Sequence, residues 1–345
     1  MKFRVNGKEF VETLNNIGGS KQVINFTVMK NRLVLQAYEP VVVDEYVSIL
    51  SVMDIDKHMT ISAELNASYN IIANEDVEVT ISDTDISFDT QVFHSRYSKA
   101  PIQRIDMLDY LDKGQVRSIS KKLISDIVST ERPMTSIAKS LRVNEPAVNI
   151  SDGYAYLILS SVACRVKTEL PNCVLSLKAV RAINDVMGRH GFSNVNVEMT
   201  MSEGSYGIID VPNVVTMMFS VKSSISTLSQ TINSMMEESK PILKTSLASI
   251  IDGVRILQTT FKQIEVLFTL SQNGPHVYVQ KGPTSTMSIG RPPSPDMKQI
   301  TIRTNIVVMS ALTKIFGQGE VEFREGGKNL CCQQGTVTLL MAGIC

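Results

Sequence analysis

An internal repeat constrains this chain more than any other feature of its sequence. "VLSLKAVRAINDVMGRHGFSNVNVEMTMSEG" (Val174 to Gly204) and "TIRTNIVVMSALTKIFGQGEVEFREG" (Thr301 to Gly326) follow one plan. A short alternating stretch enters an amphipathic helix, breaks at glycine, and leaves on an alternating strand that turns at glycine. The plan occurs first in "KFRVNGKEFVETLNNIGG", where Phe10, Leu14 and Ile17 share a helical face. A second copy, "TISAELNASYNIIANEDVEVTISDTDISFDT", has Leu65, Tyr69 and Ile72 on that face, with strands from Val77 and Ile86. "RSISKKLISDIVST" supplies Leu123, Ile127 and Val128, and the Val174 copy supplies Val180, Ile183 and Met187. "ILKTSLASIIDGVRI" places Leu247, Ile250, Ile251 and Val254 together, and the last copy places Ile306, Met309 and Leu312. The spacing, about 60 residues, is that of a duplicated supersecondary unit.

Between the helices lie alternating segments. "SIAKSLRV", the turn "NEP" and "AVNISDGYAYLILSSVACRVKT" read as antiparallel strands, and "QIEVLFTLSQNGPHVYVQKG" as a hairpin turning at Asn273 and Gly274. Each copy is a helix followed by an antiparallel sheet, which makes the fold class α+β. Two copies make a domain of common size. Three domains are therefore expected: 1–114, 115–239 and 240–345, with boundaries in the polar stretches "DYLDKGQ" and "MMEESKP". "IGRPPSPDMK" is a long surface loop inside the third.

Composition narrows the function. The 345 residues include 34 Lys+Arg and 34 Asp+Glu, for a formal net charge of zero. Such balance disfavours a binder whose affinity rests on many phosphate contacts, but permits charges segregated onto one surface. No apolar run approaches the roughly 20 residues of a membrane helix. The opening "MKFRVNGKEF" carries charges where a signal peptide has its apolar core, so a cytoplasmic protein without membrane contacts is expected. Cys164, Cys173, Cys331, Cys332 and Cys345 lack zinc-ligand spacing and read as reduced thiols. His58, His94, His190 and His276 are scattered, and no phosphate loop is present. Gly317 and Gly319 begin a GxG, but Glu322 stands where a dinucleotide loop needs its third glycine. Neither catalysis, nor a metal, nor a cofactor is expected.

Three domains of doubled helix-plus-sheet units resemble the plan of the bacterial sliding clamp, the β subunit of the replicative DNA polymerase. "MKFRVNGKEFVETLNNIGG" is similar to that family's first strand and helix, and "VNISDGYAYLIL" to its Thr-Asp-Gly-His-Arg-Leu-Ala signature. "FKQIEVLFTLSQNGPHVYVQ" resembles its third-domain hairpin, and "TVTLLMAGIC" its final strand. Asp152 and Gly153 keep the signature, whereas Tyr154, Ala155 and Tyr156 replace His-Arg-Leu, and "STLSQTINSMM" stands in place of a Phe-Pro-Asp stretch. These departures are those of a divergent clamp, such as a bacteriophage or mobile element would carry.

The resemblance implies a three-domain clamp fold and a ring that encircles duplex DNA without reading its sequence, tethers a replicative polymerase and is placed by a clamp loader. Helices would line the hole with Lys8, Lys121, Lys122, Lys178, Arg181, Arg189, Lys244, Arg255, Arg303 and Lys314, and loops would add Lys21 and Arg132. Solvated helix faces would look the same in sequence. A pocket for partner peptides would involve Gly153, Tyr154 and Tyr156 with Leu339, Leu340 and Met341; strand core is the alternative for these apolar residues. A head-to-tail homodimer is expected, with "FDTQVFHSRYS" near one side of the junction and "TSTMSIGR" near the other. A protein of the same repeats that does not encircle DNA, or an enzyme with an unrecognised site, would also fit the sequence.

Overall fold

The alternation of "KFRVN" becomes strand Lys2–Asn6, with Phe3 and Val5 turned inward. Asn6 then caps helix α1 (Gly7–Asn16), its Oδ1 accepting from the Glu9 amide at 3.1 Å. Phe10 and Leu14 of α1 are fully buried, and Phe10 meets Phe88 edge-on at 5.2 Å. The structure, a computed structural model, describes residues 1–16, 23–29, 32–39, 43–51, 59–101, 115–189, 196–201, 206–211, 215–220, 226–281, 285–296 and 298–343.

Compactness divides the chain into two units, Met1–Lys121 with Arg181–Lys222, and Lys122–Val180 with Ser223–Cys345. Every described strand pair is antiparallel. The first unit is built on a twelve-stranded sheet. From edge to edge it begins with Lys2–Asn6, Asp76–Ile81, Asp85–Asp89, His94–Ala100, Met59–Glu64 and Val23–Met29. Arg32–Glu39, Val43–Ser51, Val215–Ser220, Tyr206–Val211, Asn196–Met201 and Gln115–Ser120 complete it. The sheet crosses the sequence boundary expected after residue 114, since Glu45, Tyr46 and Val47 pair with Met218, Met217 and Thr216.

The second repeat copy departs from the expected α-helix. Ala67–Asn74 is a 3₁₀ helix, whose three-residue turn buries Tyr69 and Ile72 together and leaves Ile71 58% exposed. Leu65 is buried ahead of it. Gly7 lies against this segment: a Cβ there would stand 2.1 Å from the Ile72 carbonyl oxygen and 2.2 Å from that of Glu75.

The second unit holds two sheets. Eight strands run in the order Cys173–Leu175, Val148–Ser151, Tyr154–Ile158, Val162–Lys167, Val337–Ala342, Asn329–Gln334, Glu320–Gly326 and Lys240–Ser246. Four more run Ser285–Gly290, Gly274–Lys281, Glu265–Ser271 and Ile300–Asn305. Helix α2 (Lys121–Leu141) continues through Pro133 and takes in most of "SIAKSLRV", which the alternation had suggested as strand. Buried Ile127, Met134, Ile137 and Ala138 hold it, and Thr135 Oγ1 donates to the buried Glu131 at 2.6 Å one turn away. Helix α3 (Leu177–Arg189), which buries Val180 and Ile183, passes to the first unit at Arg181, whereas helix α4 (Ser226–Glu237) buries Ile232 and Met236, and helix α5 (Ala248–Phe261) buries Ile250 and Val254. Helix α6 (Ile306–Phe316) is buried over most of its circumference.

The Glu265–Lys281 hairpin turns at Gln272 and Asn273, one residue earlier than the sequence suggested. Ser271 pairs with Gly274, which takes φ +100 as the first residue of the returning strand. In the same sheet His276 is buried and shares a 2.6 Å hydrogen bond with Ser288 on the edge strand.

Two outcomes follow from this packing. Gly7→Ala pushes a methyl group into two backbone carbonyls and is expected to cost about 1–3 kcal/mol, read as a lower unfolding midpoint in urea. Burial lowers the His276 pKa from 6.5, so the unfolded chain takes up the proton first as pH falls. The stability gained from a neutral His276 is therefore complete above pH 6.5 and lost as pH falls through its lower folded value. Melting temperatures measured from pH 7.5 to 5 are expected to fall less steeply in His276→Gln than in the parent protein.

Candidate functional site

Asp152 and Gly153 form the two-residue turn joining Val148–Ser151 to Tyr154–Ile158. Both take positive φ, +54 and +79, as the twist of a tight hairpin requires. Beyond the turn, side chains alternate, so Tyr154, Tyr156 and Ile158 share one face of the sheet. Across the next strand Arg165 stands opposite Tyr156, and Ala163 opposite Ile158. Leu340 then pairs with Ala163, and Cys331 with Leu340. Helix α4 lies on this row: Tyr156, Ala163, Ile232, Met236, Cys331 and Leu340 form one buried cluster, with Tyr154 and Ile158 packed at its side.

A polar hub braces α4 against the tyrosines. The Arg165 guanidinium lies 4.4 Å from the centre of the Tyr154 ring and donates to Asn233 Oδ1. It also donates to Glu237 Oε1 at 3.4 Å, and Asn233 Nδ2 reaches the same carboxylate at 2.9 Å. Tyr156 donates to Asn233 Oδ1 at 3.3 Å, and burial pushes its phenol up to about 12. Nearby, Asn149 donates to Ser229, and Arg324 grips the Ser239 carbonyl at 2.7 Å just past the helix.

At the far end of α4 the sheet opens into a groove of about 660 Å³. Its apolar wall comes from Val143, Ile158, Val162, Leu228, Met235 and Leu340. Asn144, Ser160, Ser161, Thr231 and Asn329 supply the polar lining. Leu228 and Met235 are 45% and 40% exposed, and Val143 41%. Leu228, Thr231, Ile232 and Met235 form an i, i+3, i+4, i+7 stripe along α4, so the helix turns one continuous face to the opening.

Of the residues suggested by sequence, Leu340 lines this groove. Tyr154 and Tyr156 support it from beneath α4, and Gly153 stands at the other end of their strand. Leu339 and Met341 are a correction: they pair with Cys164 and Val162 and are buried at 0% and 1% on the face opposite Leu340. The strip expected to face the tyrosines is thus carried by Leu340, since neighbours in a strand point to opposite faces. The wall from α4 was missed, although its apolar spacing was readable in "STLSQTINSMM".

The proposed DNA-facing cations are spread over helices and strands. Lys8 is exposed on α1, Lys122 on α2 and Lys314 in the last turn of α6, and Arg181 is half-buried on α3. Arg132 is a correction, for it sits exposed inside α2 and not in a loop. Lys244 and Arg303 are corrected likewise: they lie on strands Lys240–Ser246 and Ile300–Asn305, not on helices. Lys244 bridges Glu320 at 3.2 Å, and Arg255 on α5 bridges Asp252 at 3.2 Å. Lys121, Lys178 and Arg189 belong to helices whose backbone alone is described at those positions, and Lys21 lies outside the described residues.

Four cysteines are free and buried, and burial raises Cys164 and Cys173 to about 12, which keeps them as thiols. Among the described residues no group of His, Cys, Asp and Glu could hold a metal ion, and no helix is long and apolar enough to cross a membrane.

No protein-family model matches the sequence, and neither does any curated protein. Solved structures do match in fold. DNA polymerase III subunit beta from Borrelia burgdorferi, in complex with a natural product, superposes with TM-score 0.69 at 13% identity, covering 100% of this chain and 99% of that one. The Helicobacter pylori beta clamp bound to a DNA ligase peptide gives 0.68 at 14% identity over 100% of both chains. A putative DNA polymerase III beta subunit from Eubacterium rectale gives 0.77 at 10% identity over 99% of both. The chain has the β-clamp fold, end to end.

Arg165→Ala removes the cation from a buried hub and takes a donor from Asn233 and Glu237 and the guanidinium from the Tyr154 ring. A loss of about 2 kcal/mol is expected in urea unfolding, whereas the exposed Lys122→Ala changes little.

Proposed function

We propose that this protein is a DNA sliding clamp, a non-catalytic processivity factor that encircles duplex DNA and tethers a replicative polymerase. One observation carries the reading: the likeness in fold to bacterial β clamps covers 99–100% of both chains. A clamp acts through topology. Once a ring is closed, release requires opening it, and weak phosphate contacts suffice to centre the duplex. The zero net charge of the chain suits such a device better than a tight electrostatic binder.

In this reading the chain is organised as three domains, 1–114, 115–239 and 240–345, and two copies close head to tail in the cytoplasm. One strand edge favours the closure. Ser285–Gly290 is the edge of its sheet, with five of its six residues exposed. Main-chain pairing at this edge joins the subunits. Lys8, Lys122, Arg132, Arg181 and Lys314, with the other helix cations, contact phosphates. The groove beside α4 receives a peptide from the polymerase or the clamp loader; the Helicobacter pylori clamp, similar in fold, is bound to a DNA ligase peptide.

The test compares DNA topologies. After loading, the protein is expected to stay on closed circular duplex at a salt concentration that strips it from linear fragments. Light scattering is expected to give the mass of two copies. Lys122→Glu combined with Arg132→Glu is expected to weaken retention while the melting temperature is kept, because exposed charges add little to stability. Equal loss from circles and linear fragments would show that the protein does not encircle DNA.

A further inference from the structure

We propose that His276 is a proton-operated latch on the edge strand Ser285–Gly290: protonation of its buried imidazole releases that edge and so opens the contact between two copies of the chain. This rests on the closure proposed above and adds its regulation. The edge strand is bonded to its sheet on one side only, and five of its six residues are exposed. Besides the main-chain register with Gly274–Lys281, two neighbouring side chains anchor it, one from each face. Ile289 is half-buried against helix α5, so close that a Cβ on Gly253 would stand 2.5 Å from it. Ser288, on the other face, shares the 2.6 Å hydrogen bond with His276 Nε2. Just beyond, Gly290 takes φ +84, where a Cβ would stand 2.3 Å from the Pro275 carbonyl oxygen.

His276 is 7% exposed, and its ring makes no other hydrogen bond among the described residues. Its own face of the sheet carries Tyr278 on the same strand, Glu265 four residues from the Thr269 that faces it, and Arg303 on the strand beyond. The edge strand itself has no titratable residue. Asp252 and Arg255 belong to α5, which packs on the opposite face, and they pair with each other. Lys240 and Lys244 lie on the strand beside the hairpin, and Lys244 bridges Glu320. Arg291, Asp296 and Lys298 follow the edge strand at exposed positions. None of these charges is bonded to the imidazole, so a proton on it would be buried without a counter-ion. Burial lowers the His276 pKa from 6.5, whereas an imidazole freed from the sheet titrates near that ordinary value. The closed edge is therefore complete above pH 6.5, and protons favour the open one as pH falls through the lower folded value. A released edge no longer presents the row of amides and carbonyls on which a second copy pairs.

The experiment follows the mass of the full chain by light scattering from pH 7.5 to 5 at constant ionic strength, with hydrogen exchange of the edge-strand amides on the same samples. The parent is expected to be a dimer at pH 7.5, with a dissociation constant that rises about tenfold or more by pH 5 and an inflection below 6.5. Amides of Ser285–Gly290 are expected to lose protection in step, ahead of those in the central strand Glu265–Ser271. His276→Gln keeps a hydrogen-bonding side chain that takes up no proton. Its dissociation constant is expected to change less than about twofold over this range. Ser288→Ala, at an exposed position, removes the partner of the imidazole and is expected to weaken the dimer about threefold or more at pH 7.5, which keeps the test open even if His276→Gln does not fold. An inflection above 6.5, the parent's pH dependence retained in His276→Gln, or a Ser288→Ala dimer as tight as the parent would each overturn the latch. A parent dimer equally tight at every pH overturns the latch alone, whereas a parent monomeric at pH 7.5 overturns the closure on which it rests.

Discussion

The antiparallel pairing of Val162–Lys167 with the final strand, Val337–Ala342, is the contact on which the second unit depends. It joins residues more than 170 positions apart in sequence, and it makes one eight-stranded sheet from two shorter ones. The register places Leu340 opposite Ala163, in line with Tyr156 and Cys331, and so creates the apolar row that α4 covers. A shift of one residue would turn Leu340 into the opposite core and bring Leu339 to the helix. Groove and helix seat both follow from this one register.

Helix α4 is held by more than apolar contact. Arg165, buried to 9% exposure, spreads its guanidinium over the Tyr154 ring and its hydrogen bonds over Asn233 and Glu237. The Arg165 Nε, like Ser95 Oγ elsewhere in the chain, is buried without a hydrogen-bond partner among the described residues. An unsatisfied donor in a buried network is tolerated where the rest of the network fixes its position. Arg324 adds a second anchor through Ser239. The half of α4 that carries Asn233, Glu237 and the chain to Ser239 is therefore braced by two arginines. Leu228, at the other half, remains exposed at the groove.

The pairing of the surface cations suits the proposed function. Lys244 and Arg255 are neutralised locally by Glu320 and Asp252, so the exposed charge of the chain is partly internally paired. Helix α6, buried over most of its circumference, offers Lys314 as its single exposed basic side chain. On the proposed function, such a distribution would give weak, salt-sensitive contacts with phosphates, sufficient where topology holds the protein on its track.

The repeat and the buried faces of most of its helices were determined by the sequence itself. Phe10 and Leu14, Ile127 and Val128, Val180 and Ile183, and Ile306, Met309 and Leu312 are buried as their spacing requires, because burial of an amphipathic face is a local demand of the helix. The turn at Asp152-Gly153 is likewise local, because Asp and Gly are residues that accept the positive φ found at both positions. Tertiary structure alone decided the rest. Two-residue alternation marks Leu339 and Met341 as one set and Leu340 as the other, but it cannot say which set meets α4, since the partner strand fixes that choice. The helical end of α2 through "SIAKSL" read as strand because Ile137 and Ala138 find their partners only in the folded core. The groove was hidden for the same reason: its walls come from segments near residues 143, 160, 230 and 340, brought together by long-range strand pairing that no local pattern encodes.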